Sequence, residues 1–308
     1  MKIIIKPKKK LIACIAIGSE YRSLWENNIL PTWKLYCKKN NIGLVLFENN
    51  LIEKKSLFWK KATWQRLLVG EAVRKKLPKV EELCVMDIDI MINPYSPDIF
   101  KSTKKNKINL TSLRKNLPFN YKDTIRKIAF FRKEFVNKKY PLDSLLNSDL
   151  KTLYKSDKLT PQKDEMCVGV MVFNVKKFSK ILYNWFFDYK KNIDSTTGGG
   201  CQTILNYLIL KNKYENLLDY KFQTIWIFEV VSRFPYLLKY IKNKELVASF
   251  TMSILLDSYF LHFAGGGRES SIWESKDFYK RINLDILNNF KIYQKKKLKG
   301  LPVISIKN

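Results

Sequence analysis

No apolar run in the sequence approaches the ~20 residues that a membrane-spanning helix needs, so no spanning segment is expected. Histidine is almost absent: His262 is the only one in 308 residues. The five cysteines, at positions 14, 37, 84, 167 and 201, are odd in number and form no C-x-x-C. A zinc ribbon and a disulfide framework are therefore not indicated, and a reducing, cytoplasmic compartment fits best. Acidic residues are outnumbered, 28 against 57 Lys and Arg, for a net charge of +29. Such a surface calls for an acidic neighbour: a phosphorylated ligand, an anionic membrane or nucleic acid. Lys, Asn and Ile are abundant throughout, as AT-biased coding also produces, so the charge counts for about half its face value as an argument for binding.

What is present points to a folded chain. Hydrophobic residues make up 46% and aromatics 14%, which excludes disorder as the dominant state. The length suits one large domain or two modest ones. The start, MKIIIKPKKKLIACIAIGSEY, imitates a signal peptide. However, Pro7-Lys8-Lys9-Lys10 splits its apolar part, and residues 11–17 read as a buried first strand. Asn109-Leu110-Thr111 is a glycosylation sequon of little weight in a chain so rich in Asn.

Strand-like runs alternate with amphipathic stretches, the pattern of an α/β sheet. Strands are expected at 11–17, 42–47, 82–86, 108–111, 166–174 and 259–264. The run at 166–174 is continuously apolar, as in a central strand buried on both faces. Helices are expected at 23–40, 58–75 and from 202 to 210, and the stripe Phe178, Ile181, Leu182, Trp185, Phe186, Tyr189 marks another. Residues 114–163 are basic and loosely patterned, an insertion or lid, and residues 276–308 read as a basic helical tail after a domain of 1–275.

The strongest chemical signal is Val85-Met86-Asp87-Ile88-Asp89-Ile90-Met91-Ile92. On a strand, carboxylates at i and i+2 share one face. An ionised carboxylate is not buried alone, and a divalent cation satisfies such a pair while leaving positions open for phosphate. The competing reading ends the strand here and leaves the acids solvated or capping. His262 lies in Tyr259-Phe260-Leu261-His262-Phe263-Ala264, before Gly265-Gly266-Gly267-Arg268. Glycines let backbone N–H groups approach a phosphate, and an Arg neutralises it. A lone strand histidine is more often structural, and three glycines also make a plain flexible turn.

These pieces resemble glycosyltransferase family 8 in kind and order. Ala62-Thr63-Trp64-Gln65-Arg66-Leu67-Leu68-Val69-Gly70-Glu71 and the D-x-D strand look like that family's helix and strand. Cys167-Val168-Gly169-Val170-Met171-Val172-Phe173-Asn174 resembles its F-N-x-G-V-x-x-x-N strand, Gln202-Thr203-Ile204-Leu205-Asn206 its Q-D-x-L-N helix start, and 262–268 its H-x-x-G-x-x-K turn. The four blocks cover about half the chain.

The resemblance implies a GT-A fold, a mixed Rossmann-like sheet flanked by helices. It also implies retaining transfer from a nucleotide-diphosphate sugar, a UDP-sugar first, with Mn²⁺ or Mg²⁺. The acceptor would be a glycan or glycolipid. Carried over, Asp87 lies near the donor ribose and the metal, and Asp89 and His262 bind the metal. Arg66 braces the acids, although it stands opposite the Trp64/Leu67/Leu68 stripe and reads equally as facing water. Ala16, Tyr21 and Ile88 line the nucleotide site, with Tyr21 stacking on the base or else serving as a strand-end core aromatic. Gly265 and Arg268 hold the diphosphate, Arg replacing the usual Lys. Gln202 stands near the anomeric carbon; an amide is a poor nucleophile, so its role is to orient donor or acceptor.

The departures are equally definite. Gly18-Ser19 occupy the family's acidic base-reading position, Cys167 stands for Asn and Thr203 for Asp. Asp164 and Glu165, just before that strand, are placed to compensate but read first as a solvated loop. Two other classes make different demands on the sequence. A nucleic-acid-binding protein needs basic residues interleaved with exposed aromatics, whereas most aromatics here fall on buried-looking stripes. A sugar-phosphate nucleotidyltransferase needs a Gly-rich basic signature after the first strand, of which Gly18-Ser19-Glu20 is a poor version. The basic tail, with Phe290 and Tyr293, suits peripheral contact with an anionic membrane.

Overall fold

The computed structural model describes residues 1–136, 138–139, 148–189 and 200–264. The chain opens with an unexpected strand, β1 (Lys2–Ile5), before the expected buried one, β2 (Lys10–Ile15). Pro7 lies between them and packs onto Gly43, where any Cβ would overlap the proline ring. The helix expected at 23–40 begins earlier and is broken. It consists of α1 (Ser19–Leu24), a π-helical turn over Trp25–Ile29, and α2 (Leu30–Asn40). Pro31 has no N–H to continue the α-helical ladder, which accounts for the wide turn just before it. Asn41, left-handed at φ 55°, closes α2.

There follow β3 (Gly43–Phe47), α3 (Ala62–Lys76), β4 (Glu82–Met86), β5 (Ile90–Ile92) and β6 (Ile108–Ser112). The 114–163 segment contributes α4 (Tyr121–Phe131) and α5 (Leu150–Ser156). Then come β7 (Met166–Asn174), α6 (Val175–Phe187), α7 (Gln202–Lys211), β8 (Glu215–Leu217), β9 (Thr224–Ile225), α8 (Trp226–Arg233), α9 (Lys244–Asp257) and β10 (Phe260–His262). The basic tail expected at 276–308 lies outside the described residues.

The large sheet runs β1-β3-β2-β4-β7-β6-β8. Strands β3, β2 and β4 are parallel, β7 is antiparallel to β4 and β6, and β1 is antiparallel to β3. Each residue of β3 and β4, and all of β7 except Asn174, is buried. Continuous burial on both faces is why these strands read as unbroken apolar runs rather than as alternation. One face packs on α2, α8 and α9 through Trp33, Trp226 and Phe250. The other packs on α3, α6 and α7 through Leu67, Phe178 and Leu205. Burying both faces makes this sheet the mixed α/β layer expected. Among the described residues no helix is long and apolar enough to cross a membrane.

A second sheet, β5-β10-β9, has three short strands. β10 pairs antiparallel with β5, setting His262 opposite Ile90, and so delivers the chain's one imidazole to the end of β4.

The start of α3 is anchored by a caged lysine. Lys60 is 5% exposed; its Nζ sits 3.9 Å from the Phe186 ring centroid and donates to the carbonyls of Phe58 and Tyr189. Burial lowers its pKa to about 8, below the ordinary lysine value of 10.5. A folded-state pKa below the unfolded one means that the cost of burying the cation is fully present below about pH 8 and fades as pH rises toward 10.5. Relative to Lys60→Met, the wild type is therefore expected to gain roughly 1–3 kcal/mol of stability between pH 7.5 and 10. Urea melts of both proteins at the two pH values measure that difference, and parallel curves would refute it.

Candidate functional site

The D-x-D does not lie on a strand, contrary to the expectation from i, i+2 spacing. β4 ends at Met86, and Asp87, Ile88 and Asp89 form the turn into β5. The acids converge because that turn is held on three sides. Asp87 N donates to Gly169 O at 2.9 Å, Phe263 N donates to Asp89 O at 3.0 Å, and Trp33 Nε1 donates to Ile90 O at 2.7 Å. The site thus stands at the C-terminal ends of parallel strands, where open α/β sheets place their ligands.

His262 meets both acids. Its Nε2 is 3.4 Å from Asp89 Oδ1 and 3.9 Å from Asp87 Oδ2, and one ligating atom from each of the three lies within 4.8 Å of the others. Gly169 makes room for the ring: a Cβ there would stand 2.5 Å from His262 Cε1, a separation no side chain tolerates. Gln223 Nε2 lies 3.1 Å from His262 Nδ1, and Cys167 Sγ lies 3.8 Å from the same nitrogen. Gln223 is fully buried, its amide oxygen taken by the Thr111 hydroxyl at 3.0 Å. No sequence signal pointed to Gln223; only the small sheet brings it beneath the imidazole. Burial works against a charged ring, yet Asp89, with help from Cys167, holds the His262 pKa well above its ordinary value. Burial, reinforced by Asp89, lifts the Asp87 carboxyl above its usual range against the pull of Arg66.

Arg66 is buried, not turned to water. α3 is covered by the sheet on one side and α6 on the other, so a residue opposite its apolar stripe is still enclosed. Its Nη2 donates to Asp87 Oδ1 at 2.5 Å, its Nε to Thr63 O at 2.8 Å, and its Nη1 to Val168 O.

In front of the acids opens a cleft of about 700 Å³, whose walls include Ala16, Tyr21, Thr63, Arg66, Asp87, Ile88 and Asp89. Ala16 is buried and Ile88 half-buried. Tyr21 is 55% exposed, so it is not a core aromatic. Gly265 and Arg268 lie outside the described residues. Gln202 stands apart from this cluster, at the first turn of α7, tied to the cleft through its neighbour: Cys201 Sγ donates to Thr63 O at 3.1 Å.

Asp164 and Glu165 are not a solvated loop. Both are buried: the end of β6 and the turn after it supply their donors. Ser112 Oγ donates to Asp164 at 2.8 Å, and Arg114 forks onto Glu165 Oε2 at 3.0 and 2.8 Å. Gln202 Nε2 donates to the other Glu165 oxygen at 3.1 Å.

This sheet order, with its site at the ends of β2 and β4, defines a GT-A glycosyltransferase fold. No family profile matches the sequence, and no curated protein resembles it significantly. Among solved structures, the WbbM bifunctional glycosyltransferase in its apo form aligns over 96% of this chain at TM-score 0.51 and 11% identity, and the match spans 53% of WbbM. A glycosyltransferase involved in glycosylation of the major capsid of PBCV-1 matches at 12% identity, 86% of this chain, 98% of that chain and TM-score 0.49. The galactosyltransferase LgtC, in complex with donor and acceptor sugar analogues, matches at 12% identity, 93% of this chain, 99% of that chain and TM-score 0.45. At such identities the likeness is one of fold.

Proposed function

We propose that the protein is a metal-dependent glycosyltransferase that moves a sugar from a nucleotide-diphosphate donor, a UDP-sugar first, to a glycan or lipid-linked acceptor with retention. The observation that carries this reading is the meeting of Asp87, Asp89 and His262 at the mouth of a cleft large enough for a nucleotide. The donor set fits a divalent ion: two hard carboxylates and an imidazole suit Mn²⁺, and a cleft beside them leaves room for phosphate oxygens. When bound, such an ion supplies Lewis-acid stabilisation of charge on the departing diphosphate, worth several kcal/mol.

The protein's own groups do the rest. Arg66 holds Asp87 in place and offsets the repulsion between the acids. Tyr21 offers an exposed ring for the nucleobase, with Ala16 and Ile88 as the flat walls beside it. Gly265 and Arg268 are assigned to the diphosphate, where a guanidinium binds two oxygens at once. Gln202 orients the reacting sugar, and in a front-face substitution the departing diphosphate takes the acceptor proton. We assign the catalytic domain to residues 1–275. The five cysteines are all free and buried, which supports a reducing, cytoplasmic setting, and the basic tail 276–308 is proposed to contact an anionic membrane surface at roughly 1 kcal/mol per cation.

A thermal-shift panel tests the reading. UDP, GDP, UDP-glucose, UDP-galactose and a single-stranded oligonucleotide are each added with and without Mn²⁺. A nucleotide diphosphate at a hundredfold excess over its Kd is expected to raise the melting temperature by roughly 5 °C, with metal only. A response to the oligonucleotide alone would defeat the proposal in favour of nucleic-acid binding.

A further inference from the structure

We propose that Glu165, clamped by Arg114, is a positioning residue that sets the polarity of the Gln202 amide, turning its carbonyl oxygen toward a hydroxyl of the transferred sugar. This rests on the glycosyltransferase reading and extends it to a residue outside the blocks that carried the family resemblance.

Glu165 is 8% exposed, and its two oxygens have separate partners. Oε2 takes both donors of the Arg114 fork, while Oε1 takes Gln202 Nε2 at 3.1 Å. Arg114 is itself locked. Its Nη2 also donates to Ser148 O at 3.0 Å, and its guanidinium lies 4.6 Å from the Tyr121 ring centroid. A carboxylate has only acceptors to offer, so the Gln202 group facing it must be the NH₂. The amide carbonyl is thereby directed away from Glu165, and among the described residues no donor meets it. Gln202 is half-buried, and Cys201 fastens this turn of α7 to Thr63 in the cleft wall. The free group is thus an acceptor on the residue next to the one that fastens α7 to the cleft wall, suited to a sugar hydroxyl and unsuited to an oxyanion.

The variant Glu165→Gln reverses that arrangement without changing shape. Arg114 requires an acceptor, so the new amide turns its oxygen to Arg114 and its NH₂ to Gln202. Gln202 must then flip and present donors to the sugar. Positioning errors of this kind cost about 100-fold in turnover.

The experiment is a double-mutant cycle of Glu165→Gln and Gln202→Ala. Hydrolysis of UDP-glucose and UDP-galactose with Mn²⁺ gives kcat and KM, calorimetry gives the affinities for UDP and for each UDP-sugar, and melting temperature reports the fold. Glu165→Gln is expected to lower kcat about 100-fold and to remove the affinity that the sugar adds over UDP. UDP affinity itself should stay within about twofold, and with Gln202→Ala already present the second substitution should cost nothing more. Glu165→Asp keeps a charge for Arg114 while withdrawing the acceptor from Gln202, and should reproduce the loss if Glu165→Gln fails to fold. Losses that add, or that follow melting temperature alone, overturn the positioning role while leaving the enzyme reading intact. A wild type that binds no nucleotide diphosphate with Mn²⁺ overturns both.

Discussion

Asp89→Asn is expected to abolish sugar transfer, by roughly 10³-fold or more, while the protein melts as a folded chain. The substitution keeps the shape of the side chain and leaves the backbone carbonyl that accepts from Phe263 N untouched. What it removes is a negative oxygen 3.4 Å from His262 Nε2, one of three groups close enough to share a cation. Lewis-acid stabilisation is worth several kcal/mol, and each 1.4 kcal/mol is a factor of ten; losing the ion therefore removes at least three decades. Asp89 also contributes most to holding the His262 ring charged against burial, so the variant makes the imidazole easier to deprotonate in metal-free protein. Calorimetry of UDP binding with and without Mn²⁺ decides the matter. An affinity as metal-dependent as that of the wild type would remove Asp89 from the metal site.

Arg66→Met is expected to have the largest effect on stability. The guanidinium is buried and serves Asp87, Thr63 O and Val168 O together. Methionine fills similar volume but takes the guanidinium donor from Val168 O, leaves Thr63 O with the Cys201 thiol as its side-chain donor, and leaves Asp87 facing Asp89 with no nearby guanidinium. Breaking a fully buried pair costs about 3–5 kcal/mol. The Asp87 side chain is 33% exposed, so solvent screening brings the expected loss to roughly 2–4 kcal/mol. Mn²⁺ restores positive charge between the acids and should recover part of it. Urea unfolding in EDTA and in Mn²⁺ gives both numbers. A loss under about 1 kcal/mol in EDTA would show that Arg66 is not the counterion on which this turn depends.

Of the residues that the resemblance names, Ala16, Tyr21, Arg66, Asp87, Ile88 and Asp89 line one cleft and His262 meets its two acids, whereas Gln202 stands apart; the physical reason for the meeting is not the one that the spacing suggests. Strand spacing was expected to align Asp87 and Asp89, whereas a turn pinned by Gly169, Phe263 and Trp33 does so. β1, β5 and β9 leave no signature in the sequence because strands of two to four residues have no periodicity of their own and exist only through their partners. The burial of Glu165 is hidden from its sequence neighbours for a related cause. Two acids beside an apolar run look solvated until Ser112 and Arg114, some fifty residues earlier, are known to face them.

Local chemistry along the chain was enough to determine the layers. Runs such as Met166–Asn174 are apolar at nearly every position and can only be strands covered on both sides, and the Phe178–Trp185 stripe can only be a helix lying on them. The imidazole, the amide beneath it and the carboxylate behind Gln202 were assigned their partners by the tertiary structure alone. Those pairings join residues 37 to 175 positions apart, and a hydrogen bond or ion pair across such a gap exists only once β10 has closed on β5 and β6 has lined up beside β7.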